Sequence, residues 1–216
     1  MPLIEANGIT INYSLDRPPA DHHGQLLVLI NGLADDLTTW SAQVPAFLSA
    51  GYTVLRYDNR GIGRSSRPVG PYTAELMGDD LFSLLNAMES RGDIDKKGGF
   101  HLLGVSMGGM IAQSYALKYP NASPSSQGWT MLSLSLCCTY AEPSRFCSRM
   151  FDLWADMAVK MSVQDVMRDV TLWAFTVPFF RQRKEELREF EEGMRGKVDG
   201  RKREGGGFRE GVTPFG

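Results

Sequence analysis

The chain has 216 residues, 43% hydrophobic and 22% charged, with a formal net charge of −2. This balance suits one ordinary globular domain with a small appendage and leaves no electrostatic footprint for nucleic acid or an anionic membrane. The longest apolar runs, LLVLI and HLLGV, are far too short for a membrane span.

The opening MPLIEANGIT has neither a basic n-region nor an apolar h-region. No secretory leader is expected, and the protein is placed in the cytoplasm. ITINYSL (9–15) alternates as a strand does. LLVLIN (26–31) is a continuous apolar run closed by Gly32, which suits a strand buried on both faces. A helix is expected over roughly 39–49, and YTVLRYD (52–58) reads as the next strand. Thr73 is a candidate N-cap for a helix that sets Met77, Leu81, Leu84, Leu85 and Met88 on one stripe. FHLLGV (100–105) reads as a strand, followed by a helix that runs to Lys118 and stops before Pro120. WTMLSLSL (129–136) reads as a further strand. Alternating β and α units of this length predict a mostly parallel α/β sheet with helices on both faces.

The pattern changes after Tyr140. RFCSRMFDLWADMAVKM, VQDVMRDVTLWAF and RQRKEELREFEEGM are three helix candidates, with Pro143 and Pro178 as breaks. Their Met, Phe and Trp residues fit simple packing or the lining for an apolar substrate. From Gly196 the chain is rich in Gly, Arg, Lys and Glu with little to bury, so disorder is expected. The boundaries read from sequence are therefore 1–140, 141–195 and 196–216. Cys137, Cys138 and Cys147 are odd in number, and no histidine lies near them. They suit neither a disulfide framework nor a metal site, and are expected as buried, reduced thiols.

Three segments carry chemistry. HLLGVSMGGMIAQ (101–113) contains G-x-S-x-G, with Ser106 flanked by Gly104, Gly108 and Gly109. The motif alone is weak, but here it follows a strand-like run and opens a helix-like one, as a nucleophile elbow requires. Small residues let the turn close, and Ser106 would stand over a helix N-terminus that favours developing negative charge. LINGLADD (29–36) places Asn31 and Gly32 at a strand end. There the Leu33 and Met107 backbone N–H groups could form an oxyanion hole. Asn31, Gly32 and Trp40 are candidates for the pocket wall. YDNRGIGRSS (57–66) fails as a dinucleotide fingerprint, because the last glycine is absent and no helix follows. Asp58 and Arg60 are expected to fix that loop.

With these segments in order, the chain resembles the α/β-hydrolase superfamily over residues 3–140, and most closely its 3-oxoadipate enol-lactonase-like branch. LINGLADDLTTW, RYDNRGIGRSS and LLGVSMGGMIAQSYALKYP carry the likeness. Asn31 departs from the histidine that many members place before the glycine. The resemblance implies that 141–195 is a helical lid, that Ser106 is the nucleophile, and that the substrate is a small ester or lactone. It implies no metal and no organic cofactor.

It also implies an acid after the seventh strand and a histidine after the eighth, where about six of the eight strands are expected in this chain. The chain has three histidines, none after His101. His101 begins the strand that ends at the elbow, roughly 16 Å from Ser106 at about 3.3 Å per residue. His22 and His23 precede the strand at 26–31, at the wrong end for an α/β site. Glu142 falls near an acid position that some members use, but it has no histidine to orient. Loss of a triad histidine costs on the order of 10⁶ in turnover and leaves about 10³ over water. The expectation is a C-terminally truncated, impaired acyl-serine hydrolase whose last strand, MLSLSLCC, is an apolar edge. A non-catalytic ligand-binding or regulatory protein, and a non-functional isoform, remain open beside it. The oligomeric state is not legible.

Overall fold

The computed structural model describes residues 1–19, 24–70, 72–120 and 129–189. The chain divides into two compact units, the first comprising Met1–Pro68 and Tyr72–Glu142, the second containing the helices from Pro143 onward. His22 and His23 and the 196–216 segment lie outside the described residues.

The first unit holds six strands, β1 (Leu3–Ala6), β2 (Ile9–Asp16), β3 (Leu26–Ile30), β4 (Thr53–Tyr57), β5 (Phe100–Val105) and β6 (Met131–Cys137). They form one sheet in the order β1-β2-β4-β3-β5-β6. β1 and β2 are an antiparallel hairpin turned at Asn7-Gly8, both in the left-handed region, as the tight turn between two strands demands. β2 also pairs antiparallel with β4. β3, β4, β5 and β6 are mutually parallel. β4 lies on one side of β3 and β5 on the other, so the connections diverge above the C-terminal ends of β3 and β5. A doubly wound sheet opens its ligand crevice at such a point.

Helices cover both faces. α2 (Ala74–Ser90) is capped by Thr73, whose side chain accepts from the Leu76 N–H. It buries Met77, Leu81, Leu84, Leu85 and Met88 against α3 (Met107–Lys118), notably Ile111, Ala112 and Tyr115, and against the sheet. Each such side chain contributes about 1.5–3 kcal/mol when fully buried. On the other face Leu27, Leu29 and Val54 pack with Trp40 and Val44. The helix expected over 39–49 is two pieces, a 3₁₀ turn at Leu37–Ala42 and α1 at Val44–Ser49. Pro45 in the first turn of α1 lacks an N–H and cannot continue a preceding helix.

The loop after β4 is locked by buried charge. Asp58 accepts from Asn12 Nδ2 at 2.7 Å, the Leu37 N–H at 2.8 Å and the Arg64 N–H at 3.0 Å. Gly63 (φ +53) makes room for it, since a Cβ there would stand 2.0 Å from Asp58 Oδ2. Arg60 donates to both Asp80 oxygens at 2.6 and 2.5 Å, tying the loop to α2, and Asn7 donates to Asp80 Oδ1 at 2.7 Å. Asp58 and Arg60 are thus fixed inside the loop.

The cysteines depart from expectation. Cys137 and Cys138 are exposed and Cys147 is half-buried. β6 is the last strand in the described sheet, so from Ser135 to Cys138 nothing described buries the segment.

In the second unit α4 (Arg145–Lys160), α5 (Val163–Ala174) and α6 (Val177–Gln182) follow one another, with helical turns again at 184–189. Ser144 and Ser162 cap α4 and α5 through the Cys147 and Asp165 N–H groups. Asp169 accepts from Trp154 Nε1 at 2.7 Å and Trp173 Nε1 at 3.2 Å. Pro178, expected as a break, sits in the first turn of α6, where its missing N–H costs nothing. No helix of the described residues is long and apolar enough to cross a membrane.

Asp80→Asn removes one charge from the buried Arg60 pair. Urea denaturation is expected to show a loss of about 3–5 kcal/mol, the usual consequence of leaving its partner's charge uncompensated. An unchanged midpoint would show that the clamp is not stabilising.

Candidate functional site

Ser106 occupies the one-residue turn between β5 and α3. Its backbone, φ 54 and ψ −120, lies in a region that L-residues avoid, at a typical cost of about 1–3 kcal/mol. Three contacts hold it there. The Ser106 N–H donates to the Cys137 carbonyl at 2.9 Å, and the Ser106 carbonyl accepts from the Gly109 N–H at 2.9 Å and the Met110 N–H at 3.3 Å. The side chain stands exposed at the C-terminal end of β5. Met107, the first residue of α3, is buried. Its N–H belongs to the first turn and has no acceptor within the helix.

The glycines are a steric requirement. A Cβ at Gly104 would lie 2.2 Å from the Gly108 carbonyl oxygen. One at Gly108 would lie 2.3 Å from the Ile30 oxygen and 2.6 Å from the Asn31 oxygen. One at Gly109 would lie 2.5 Å from Thr139 Cγ2. The start of α3 therefore presses directly on the end of β3, closer than any side chain permits.

That packing brings the loop after β3 to the elbow. The Cβ position of Gly32 is 3.6 Å from Ser106 Cβ. Leu33 follows in an exposed turn, and Ala34 has a positive φ of 61°. Asn31 is fully buried and donates from Nδ2 to the Tyr57 carbonyl at 3.0 Å, bracing β3 against β4. Trp40 is buried among Leu27, Leu29, Val44 and Val54. The structure thus brings Asn31 and Gly32 to the elbow and seats Trp40 in the core of the second face.

A proton acceptor for Ser106 is harder to find. His101 sits at the other end of β5, with Nδ1 2.7 Å from Ser133 Oγ and Nε2 3.3 Å from Gln25 Oε1. Both ring nitrogens are engaged far from the elbow. Tyr57 is fully buried, and that burial, reinforced by the Asp80 carboxylate, pushes its phenol well above the usual range, so it holds its proton. Glu142 is exposed. One carboxylate of the LINGLADD segment lies beside Gly32. Asp35 Oδ2 lies 3.4 Å from the same Gly32 position that Ser106 Cβ approaches. Spacing in LINGLADD does not distinguish Asp35 from Asp36; only the turn at Leu33-Ala34 does. Among the described residues no cluster of three His, Cys, Asp or Glu could hold a metal.

A parallel sheet with its switch point at a strained serine, seated on a glycine-lined strand–turn–helix, defines the class of nucleophile-elbow α/β proteins. The chain belongs to the alpha/beta hydrolase fold family, whose profile matches residues 25–202. It is 33% identical over 121 residues to 3-oxoadipate enol-lactonase 2 of Acinetobacter baylyi, a match covering 54% of this chain and 40% of that protein. It is 30% identical over 135 residues to a putative carbamate hydrolase of Variovorax paradoxus, covering 62% of this chain and 44% of that one. The enol-lactonase structure from Burkholderia xenovorans superposes with a TM-score of 0.68 at 28% identity, covering 88% of this chain and 66% of that one. The likeness supports the enol-lactonase branch. The chain spans less than half the length of these two curated relatives.

Gly108→Ala is expected to abolish cooperative folding or shift its urea midpoint drastically, because the clash is with backbone oxygens that cannot swing away. Gly32→Ala meets nothing nearer than 3.4 Å and should change stability by less than about 1 kcal/mol. Equal effects would show that the elbow does not bear on β3 as described.

Proposed function

We propose that the chain is a serine hydrolase acting on small carboxylic esters or lactones. The observation that carries this is the backbone of Ser106, held at φ 54 and ψ −120 between β5 and α3 with its side chain in solvent. Nothing in packing requires a serine there. Ser106 Oγ attacks the substrate carbonyl carbon. The tetrahedral oxyanion is received by the Leu33 and Met107 N–H groups, the alkoxide or enolate leaves, and water hydrolyses the acyl-serine. The helices from Pro143 onward act as the lid that selects substrate. The ester and lactone assignment draws on the enol-lactonase names of the relatives.

With His101 at the far end of β5, the Ser106 proton passes to water or to the Asp35 carboxylate, neither of which matches an imidazole as base. Turnover of this chain is therefore about 10⁶-fold below that of an intact triad, resting on the oxyanion hole and binding alone. The second reading is a ligand-binding protein that keeps the pocket without turnover. The distance of His101 from the elbow favours it.

A fluorophosphonate probe tests both. Slow labelling of Ser106, lost in Ser106→Ala, is the expected outcome. Labelling as rapid as in an intact serine hydrolase would show that a base is within reach. No labelling, in a chain that still melts cooperatively, would leave the ligand-binding reading.

A further inference from the structure

We propose that Cys137 and Cys138 form a redox modification site, a vicinal dithiol that a small disulfide such as oxidised glutathione converts to a disulfide, and that this change is transmitted to Ser106 through the backbone. Only the consequence for reactivity rests on the reading of Ser106 as nucleophile.

Both thiols are exposed, as attack on a soluble disulfide requires. Neighbouring residues on a strand point to opposite faces, but the strand ends at Cys137 and Cys138 turns into the left-handed region at φ 50. The alternation is thus broken at the one peptide that the two cysteines share. That peptide is anchored to the elbow on both sides. Before it, Val105 is the register partner of Cys137, and the Cys137 carbonyl accepts the Ser106 N–H at 2.9 Å. After it, Thr139 packs on Gly109 and the Tyr140 carbonyl accepts from Gln113 Nε2 at 3.1 Å.

The reaction balances without further reagents. The Cys137 thiolate attacks one glutathione sulfur and releases the first glutathione thiolate. The Cys138 thiolate then attacks Cys137 Sγ and expels the second. The protein pair loses two electrons, oxidised glutathione gains them, and the two thiol protons pass to the departing glutathiones. Adjacent Cα atoms stand about 3.8 Å apart, whereas disulfide-linked Cα atoms usually stand about 4.4–6.8 Å apart. Ring closure must therefore deform the 137–138 peptide, and the Cys137 carbonyl that holds Ser106 moves with it.

The test uses the full chain carrying Cys147→Ser, equilibrated without oxygen in oxidised and reduced glutathione. Oxidation should remove both free thiols, lower the intact mass by two hydrogens, map to the 137–138 peptide and reverse with dithiothreitol. Adding Cys138→Ser should leave a stable glutathione adduct on Cys137. Amide exchange in the peptide containing Ser106 should quicken roughly tenfold on oxidation as its hydrogen bond weakens, and fluorophosphonate labelling of Ser106 should change several-fold. Unreacted thiols, a stable glutathione adduct with both cysteines present, or a disulfide between two copies would overturn the proposal, as would unchanged exchange at Ser106. If Ser106 labels in neither state, the hydrolase reading fails, while the thiol and exchange measurements still decide this one.

Discussion

The contact on which the site depends is the one between the first turn of α3 and the last residues of β3. Gly108 rests against the Ile30 and Asn31 carbonyl oxygens with no space for a side chain. Because the two elements touch backbone to backbone, the turn at Ser106 and the turn at Gly32–Leu33 open at the same height above the sheet. The serine side chain and the backbone amides that could face it are thus placed by a rigid scaffold and not by a flexible loop. Move α3 outward by one methyl group and the two turns separate.

A second layer keeps the neighbouring loop from intruding. Asp58 ties the loop after β4 to β2 and to the 3₁₀ turn after β3, while Arg60 and Asp80 bolt it to α2. Buried ionic groups of this kind contribute little net stability against an apolar substitute but fix one geometry among several. Here that geometry leaves the ends of β3 and β5 open, with Asn31 bracing β3 against the Tyr57 carbonyl.

Much of this was readable in the residues, for physical reasons that differ by element. The apolar run of β3 and the α2 stripe from Met77 to Met88 stand out because each matches a structural period. The elbow stands out because three glycines flank one serine. The loop roles of Asp58 and Arg60 followed from their place between a strand end and a bent glycine pair. β1 is not legible, since its four residues carry too little alternation. The break between the 3₁₀ turn and α1 hinged on Pro45, whose effect depends on where the helix restarts. The exposure of Cys137 and Cys138 is not legible because thiol burial there depends on what lies beside β6, a fact of sheet order and not of local pattern. Asp35 was invisible for a similar reason. Its place beside Gly32 is set by the fold of the Leu33-Ala34 turn, while its sequence neighbours are unremarkable.

The dihedrals of Ser106 have one more consequence. Glycine would adopt φ 54 without penalty, whereas serine sits there at a cost of about 1–3 kcal/mol. At this residue folding and reactivity pull in opposite directions. A chain judged by its stability alone drifts toward glycine at position 106, and one judged by its chemistry holds serine against that drift. On the proposed reading of Ser106 as nucleophile, the elbow is where this protein gives up stability for a reactive group.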